Sequence, residues 1–194
     1  FALPGTTPVL ANSPKMWDAV SAACRRIVEL VRQDVRPRDL LTPAAFENCV
    51  KTVLSVSGST NCIKHLQAIA KDAGSDVDVF DMFDRFADDI PLLVGIRPNG
   101  YHFIDDMEAA GGTKAVMKRL ESKLRLDALT VNGHTVGENL KDAVILDDDI
   151  IRPLENAHNY RPAIVLAKGN IAQKFGVIKL QIDDHYKPSY FRGP

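Results

Sequence analysis

Cysteine is scarce in this chain of 194 residues and is not arranged in pairs. The three cysteines, Cys24, Cys49 and Cys62, form no C-x-x-C motif, and each lies in a stretch with a helical pattern. Such an arrangement builds neither a disulfide framework nor a tetrahedral zinc site. We interpret the thiols as small apolar side chains of a protein in a reducing compartment, the cytoplasm, or an organelle stroma or matrix in a eukaryote.

The chain also lacks long apolar runs and an excess of charge of either sign. No run approaches the roughly 20 residues that span a bilayer. Residues 1–5 do not have the basic and then apolar order of a secretion signal. The 24 basic and 25 acidic residues are mixed along the sequence and give a formal net charge of -1. We therefore expect neither a membrane nor a nucleic acid as partner.

Two helices are predicted in the first third of the chain from their start signals. Ser13-Pro14 and Thr42-Pro43 each place a capping side chain directly before a proline. The first helix is expected to run to about Gln33, and the second to end before Gly58. Their apolar stripes at steps of three and four are Trp17, Val20, Cys24, Ile27, Leu30 and Val31, and then Phe46, Val50, Val53 and Leu54.

Two further helices follow before the middle of the chain. One is expected from Ser59 to Ala73, where Gly74 ends it, with the apolar residues Ile63, Leu66, Ile69 and Ala70 on one side. Asp78 is expected to cap the other. That helix carries Phe80, Phe83 and Phe86. Aromatic residues at this spacing predict a contribution to the hydrophobic core.

Strand-like runs lie between and after the helices. The apolar run Leu92–Ile96 predicts a buried parallel strand. Ala163–Ala167 and Gly176–Ile182 predict two strands around a Lys168-Gly169-Asn170 turn. These two strands read as the start of a second domain whose edges need partners. The run Leu129–Val136, with an Asn-Gly turn inside it, has the pattern of a hairpin.

The run Gly58-Ser59-Thr60-Asn61 is the most informative part of the sequence for function. It places a glycine and three small polar side chains at the first turn of a predicted helix, where unpaired backbone N–H groups favour an anionic or oxygen-rich ligand. Ser59, Thr60 and Asn61 are therefore candidate substrate-binding residues.

A complete reaction centre is not recognisable in the sequence. Ser59 or Thr60 with His65 does not form a nucleophile and base pair, because residues five or six apart on one helix face apart and no acid orients the histidine. His102 with three nearby acids, His134 with Glu138, and the run Asp147-Asp148-Asp149 match no metal-ligand pattern and predict surface clusters. We assign no catalytic residue and no metal ligand to this chain.

Seven short segments, in matching order and spacing, resemble the dihydroxy-acid dehydratase and sugar-acid dehydratase family of iron–sulfur enzymes. They are Arg38-Asp39-Leu40-Leu41-Thr42, Ala45-Phe46-Glu47-Asn48, Gly58 to Ala70, Arg97-Pro98-Asn99-Gly100, Ala110-Gly111-Gly112, Asp127-Ala128-Leu129-Thr130-Val131 and Lys168-Gly169-Asn170. The resemblance implies an internal piece of a longer polypeptide. Residues 1–140 would be the later, helix-rich part of an N-terminal α/β/α domain, and residues 141–194 the incomplete start of a β-barrel-like domain. It also implies a short helix from Thr135 to Leu140.

The resemblance further implies a reaction. Family members are hydro-lyases that dehydrate a 2,3-dihydroxy acid to a 2-keto acid, as in valine and isoleucine biosynthesis. An iron–sulfur cluster acts on the departing hydroxyl, Mg²⁺ binds the carboxylate side, and a serine takes the proton, all through residues outside this chain. The chain alone would then be inactive. Its partners would be a small dihydroxy acid, the remainder of its own polypeptide, and further copies in a homodimer or homotetramer.

Some positions depart from the family pattern and leave the substrate open. Ser57 stands where the family tends to have glycine, Asn99 where it tends to have serine, and Asn159-Tyr160-Arg161-Pro162 replaces a glycine-containing approach to a strand. Both branched-chain dihydroxy acids and sugar acids such as pentonates or hexonates are compatible with the sequence as substrates. Two alternative hypotheses remain for the function. The chain could be a non-catalytic scaffold, or it could be one chain of a two-chain enzyme, which predicts an exposed apolar patch beside the 163–182 strands.

Overall fold

The structure, a computed structural model, describes residues 1–180, and most of the regular secondary structure in that part is helical. In chain order the elements are α1 (Pro14–Arg32), α2 (Pro37–Leu40), α3 (Pro43–Ser55), α4 (Asn61–Asp72), α5 (Val79–Phe86), α6 (Ile104–Ala109), α7 (Gly112–Arg119), a 3-10 turn (Glu121–Lys123), α8 (Val136–Leu140), a 3-10 turn (Leu154–Asn156), β1 (Ile164–Ala167) and β2 (Gly176–Lys179). This agrees with the predicted helix-rich α/β class. In the range 1–180, no helix has the length and apolar character needed to cross a bilayer.

The predicted helix starts are confirmed at α1, α3 and α5. Ser13, Thr42 and Asp78 each accept a hydrogen bond through the side chain from the backbone N–H three residues on, at 3.1, 3.3 and 3.0 Å. These bonds satisfy N–H groups that have no partner inside the helix. The cap residues therefore define where the chain enters each helix.

The core is formed by α3, α4 and α5 with the segment that follows them. Phe46, Leu54, Ile63 and Phe83 are at most 1% exposed. Phe83 is the fully buried member of the predicted aromatic set, while Phe80 stacks on Phe175 at 5.3 Å between ring centroids. The expectation that these aromatic residues belong to the core is confirmed.

Helix α1 is present as predicted, but most of the apolar stripe that identified it faces solvent. Trp17, Ile27 and Val31 are 58%, 58% and 74% exposed, whereas Leu30 is 9% exposed. The helix contacts the rest of the fold through its opposite side, where the Arg26 side chain donates to the backbone oxygen of Val131 at 2.6 Å.

The segment Leu92–Ile96 is buried as predicted but is not a strand of a parallel sheet. Leu92 and Val94 form isolated antiparallel bridges with Asn159 and Ile151, and Ile96 forms a parallel bridge with His102. Each neighbour contributes a single bridge, so no continuous ladder forms. The apolar run correctly predicted that the segment is buried, but burial alone does not specify whether a segment pairs with its neighbours in parallel or antiparallel direction.

The run that begins at Leu129 contains both structures that the sequence analysis left open, a hairpin-like turn and a short helix. Leu129 and Thr135 form an antiparallel bridge around a turn, and Thr135 then caps α8. The Thr135 hydroxyl accepts from the Glu138 N–H at 3.2 Å, while the Glu138 carboxylate accepts from the Thr135 N–H at 2.8 Å. This reciprocal pair confirms the short helix that the resemblance implied.

Strands β1 and β2 pair in antiparallel register, with Ile164 opposite Lys179 and Ala167 opposite Gly176. The apolar residues Val177, Ile178 and Leu180, in β2 and directly after it, are 40% to 45% exposed. The predicted second strand extends to Ile182, and its last two residues lie outside the described part, as does the segment Asp183–Pro194.

Residues on the two sides of the expected domain boundary at residue 140 contact each other. The Arg152 N–H donates to the Leu93 oxygen at 2.9 Å, and Ile151 and Ile164 belong to the same buried cluster as Phe46. The division into segments 1–140 and 141–194 stays a prediction.

Candidate functional site

The turn between α3 and α4 has a geometry set by Ser57. Ser57 has a φ of 47°, in the left-handed region that usually takes glycine. The N–H of Gly58 donates to the Val53 oxygen at 2.9 Å, and the N–H of Ser57 donates to the Leu54 oxygen at 3.1 Å, which closes the end of α3. The Ser57 hydroxyl accepts from the buried N–H of Ala163 at 3.0 Å. The Ser57 side chain thus connects the turn to the residue before β1.

The next residues leave backbone donors free at the start of α4. This helix begins at Asn61, two residues later than predicted, because Ser59 and Thr60 remain in the turn. Among the described residues, the N–H groups of Ser59 and Thr60 have no hydrogen-bond acceptor. The Ser59 hydroxyl accepts from the Asn61 N–H at 3.2 Å. Free N–H groups at this end of a helix carry partial positive charge and favour anionic oxygens.

A cavity of about 580 Å³ lies beside this turn. Ser59 and Thr60 line it, whereas Asn61 is exposed and is not among the lining residues. The structure therefore brings two of the three predicted binding residues into one cavity. The lining consists of Thr7, Pro8, Val56, Ser57, Gly58, Ser59, Thr60, Ile96, Arg97, Pro98, Ile104, Met107, Thr113 and Lys179.

Two cationic side chains line this cavity together with the turn. Arg97 and Lys179 are both present, and the part of the lining that the structure describes includes no acidic residue. Arg97 lies over the ring of Phe103, with 4.4 Å from its guanidinium carbon to the ring centroid. In the ion pairs formed within residues 1–180, neither cation is paired with a carboxylate. The cavity is therefore positively charged and suits an anion.

The sequence analysis did not identify Arg97 or Lys179 as site residues. Arg97 lies in a segment that resembles the family, but nothing in its neighbourhood distinguishes it from a surface cation. Lys179 is remote in sequence from the turn, and its contact depends on how β2 docks against that turn. A contact between residues so far apart cannot be recognised from a pattern in a single sequence.

The side chains of the other candidate clusters are not among those that line this cavity. His65 is exposed, and His102 and His134 are each 3.9 Å from a carboxylate oxygen, of Asp106 and Glu138. Asp147 accepts from two following N–H groups at 2.9 and 3.2 Å and so organises its own turn. In the described part of the chain, no three His, Cys, Asp or Glu side chains are grouped as metal ligands.

A second cavity, of about 520 Å³, contains two of the cysteines. Cys49 and Cys62 line it with mostly apolar side chains from α3, α7 and α8. Burial raises the pKa of the Cys49 thiol, which keeps the group protonated and poorly reactive. Cys24 is exposed on α1, so the reading of all three thiols as buried apolar side chains is wrong for this residue.

Comparison with known proteins identifies the class of protein. The chain belongs to the family described as dihydroxy-acid/6-phosphogluconate dehydratase N-terminal, whose model matches residues 1–139. Among similar proteins, a dihydroxy-acid dehydratase of Caldicellulosiruptor saccharolyticus is 39% identical over 92% of this chain and 33% of its own length. A dihydroxy-acid dehydratase of Pyrococcus abyssi is 42% identical over 80% of this chain and 28% of its own length. The chain thus spans about a third of the length of these relatives.

Proposed function

We propose that this chain is part of a hydro-lyase that dehydrates a 2,3-dihydroxy carboxylic acid to a 2-keto acid, with branched-chain dihydroxy acids as substrates. Membership of the dehydratase family and the identity of 39% to a protein named dihydroxy-acid dehydratase support this proposal. The observation that carries it is the cavity beside α4, which combines a helix N-terminus with Arg97 and Lys179. A carboxylate is the anion that such a substrate offers at neutral pH.

The residues of this chain bind and orient the substrate in our proposal. The N–H groups and hydroxyls of Ser59 and Thr60 hold carboxylate or hydroxyl oxygens, and Asn61 assists from the first residue of α4. The reaction removes a proton from C2 and the hydroxyl from C3 as water, and the resulting enol becomes the 2-keto acid. Fixed donors at the carboxylate side favour this reaction, because they are in place before charge develops.

The described residues do not fit the metal groups that the family implies. Cys24 lies on the exposed face of α1, while Cys49 and Cys62 line the apolar cavity, so these thiols form no common ligand set. The structure groups no three His, Cys, Asp or Glu side chains within residues 1–180, so neither an iron–sulfur cluster nor Mg²⁺ is assigned to these residues. We propose that both groups belong to other parts of the complete enzyme.

The partners and the location follow from the same proposal. The remainder of the polypeptide supplies the reacting groups, and the enzyme acts as a homodimer or homotetramer in the cytoplasm, or in a stroma or matrix. The exposed apolar residues of β2, Val177 and Ile178, support a covering partner at that strand.

The test is an anaerobic dehydration assay of the complete polypeptide that contains this sequence, supplied with iron, sulfide and Mg²⁺. We expect 2-keto acid from 2,3-dihydroxy-3-methylbutanoate, at a kcat/KM about tenfold or more above that for gluconate, which corresponds to at least 1.4 kcal/mol of discrimination. Faster dehydration of gluconate would overturn the substrate class. Absence of keto acid from both substrates would overturn the proposed function.

Single variants in the same assay test the site residues. Thr60→Val and Asn61→Leu remove one polar group each, and we expect each to raise KM by about tenfold, as for one lost hydrogen bond to a charged group. His65→Gln is the matched control, because His65 is an exposed residue of the same helix. Unchanged kinetics for both site variants would refute the assignment of this turn.

A further inference from the structure

Lys179 connects strand β2 to the turn that forms the cavity. Its ammonium nitrogen donates to the backbone oxygens of Ser57 and Gly58, at 2.8 Å to each. An ammonium group has three N–H bonds, and these oxygens are its two acceptors within the described part of the chain. One donor of a cation that lines the cavity thus remains available.

The same contacts fix the direction of a backbone donor. The Gly58 oxygen and the Ser59 N–H belong to one peptide unit, in which the two groups point in opposite directions. Because Lys179 holds the oxygen, the N–H is held pointing away from the ammonium group. Lys179 therefore sets the orientation of a donor at the start of α4 as well as contributing its own charge.

The surroundings of Lys179 favour an anion as its missing partner. Burial lowers the pKa of the Lys179 ammonium group, because a cation loses solvation when it is partly enclosed. Within residues 1–180, the cavity lining contains a second cation, Arg97, and no acid that would offset either charge. A carboxylate would supply the counter-charge and accept the remaining N–H.

We propose that Lys179 is a substrate-binding residue of this cavity, which contacts the carboxylate of the dihydroxy acid while holding the Ser57 and Gly58 oxygens. This inference rests on the proposed function, since it assigns the carboxylate end of that substrate. Arg97 lies in the same lining and contributes to the positive field.

The first test is an NMR titration of the 194-residue chain with glycerate, the smallest 2,3-dihydroxy acid, and with neutral glycerol. We expect glycerate, but not glycerol, to shift the amide signals of Ser59 and Thr60. Lys179→Met should weaken glycerate binding by about tenfold or more, as for the loss of a charge-assisted hydrogen bond. Lys179→Arg should restore most of the affinity, because it keeps the positive charge.

The pH dependence separates a binding role from a structural one. Among the described residues, the Cys62 thiol of α4 acts on the Lys179 ammonium group and Arg97 lines the same cavity, so Cys62→Ser serves as the background. In that background, glycerate affinity should fall as pH rises from 7.5 towards 10, since the ammonium group loses its proton. With Lys179→Arg the affinity should stay level over this range, because a guanidinium remains charged.

The possible outcomes distinguish the inference from the function on which it rests. Glycerate binding that is unchanged in Lys179→Met overturns the role of Lys179 and leaves the proposed function standing. Binding that is lost equally in Lys179→Met and Lys179→Arg, with no pH dependence, overturns it in favour of a structural role. An unmodified chain that binds no glycerate, while the complete enzyme dehydrates its substrate, overturns the cavity as carboxylate site but not the reaction.

Discussion

Ser57 adopts a backbone conformation that L-residues disfavour by about 1–2 kcal/mol. Its φ is 47°, and its hydroxyl accepts a hydrogen bond from the buried N–H of Ala163 at 3.0 Å. The hydrogen bond offsets the strain, since leaving a buried donor without a partner costs about 1–3 kcal/mol. The serine at this position thus makes a contact with a residue more than a hundred positions away.

Two substitutions at position 57 separate the strain from the hydrogen bond. Ser57→Ala keeps the strained backbone and removes the acceptor, so we expect the free energy of unfolding to fall by about 1–3 kcal/mol. Ser57→Gly removes both together, so we expect a change within about 1 kcal/mol. Urea denaturation of the unmodified chain and of the two variants measures these changes in the free energy of unfolding. Equal destabilisation by both variants would contradict this account.

Helix α1 has its apolar stripe on the solvent side. Trp17, Ile27 and Val31 are more than half exposed, whereas Leu30, at the edge of the stripe, is buried on the side that contacts the fold. The periodic pattern therefore identified the helix without reporting which side faces this core. Among the described residues, nothing packs closely over the stripe, so it contributes little to the stability of this chain.

A pair of substitutions on α1 tests the orientation of the helix. Ile27→Gln should change the free energy of unfolding by no more than about 0.5 kcal/mol, as is usual for exposed positions. Leu30→Ala should lower it by about 2 kcal/mol or more, because Leu30 is 9% exposed. Thermal unfolding with a parallel measurement of oligomeric state makes the comparison. A large loss for Ile27→Gln would show that this side is covered in solution.

At the scale of the whole molecule, contacts join segments that are distant in sequence, such as those around Gly95 and His158. The His158 ring lies so close to Gly95 that a Cβ added to the glycine would be 2.7 Å from a ring carbon. Burial lowers the pKa of His158, and the nearby charge of Arg152 lowers it further. The folded protein thus favours the neutral imidazole, whereas the unfolded chain takes up a proton near pH 6.5.

This difference predicts a pH-dependent stability. Because the pKa of His158 is depressed in the folded state, its contribution to stability is present above pH 6.5 and is lost as pH falls towards the folded pKa. We expect the free energy of unfolding to decrease between pH 7.5 and 5.5 in the unmodified chain. The decrease should be smaller in His158→Asn, which has no titrating ring. Identical slopes for the two proteins would exclude His158 as the cause.

Local signals in the sequence predicted the helices well. Capping side chains before proline or before an apolar stripe located the starts of α1, α3 and α5, since caps act on neighbouring N–H groups. The pairing of Leu92–Ile96 was not predictable in the same way, because its partners lie at His102, Ile151 and Asn159. An apolar run predicts that a segment is buried. The direction of its β-bridges depends instead on how distant segments pack against it.

By itself, the sequence determined the helix-rich class, the family, and the position of the turn that contains Ser59 and Thr60. Those properties depend on local chemistry and on motifs that can be read along the chain. The tertiary structure decided that Arg97 and Lys179 share one cavity with that turn, and that Ser57 bonds to Ala163. Contacts of this kind join residues that are far apart in sequence, so only the folded chain brings their charges and hydrogen bonds together.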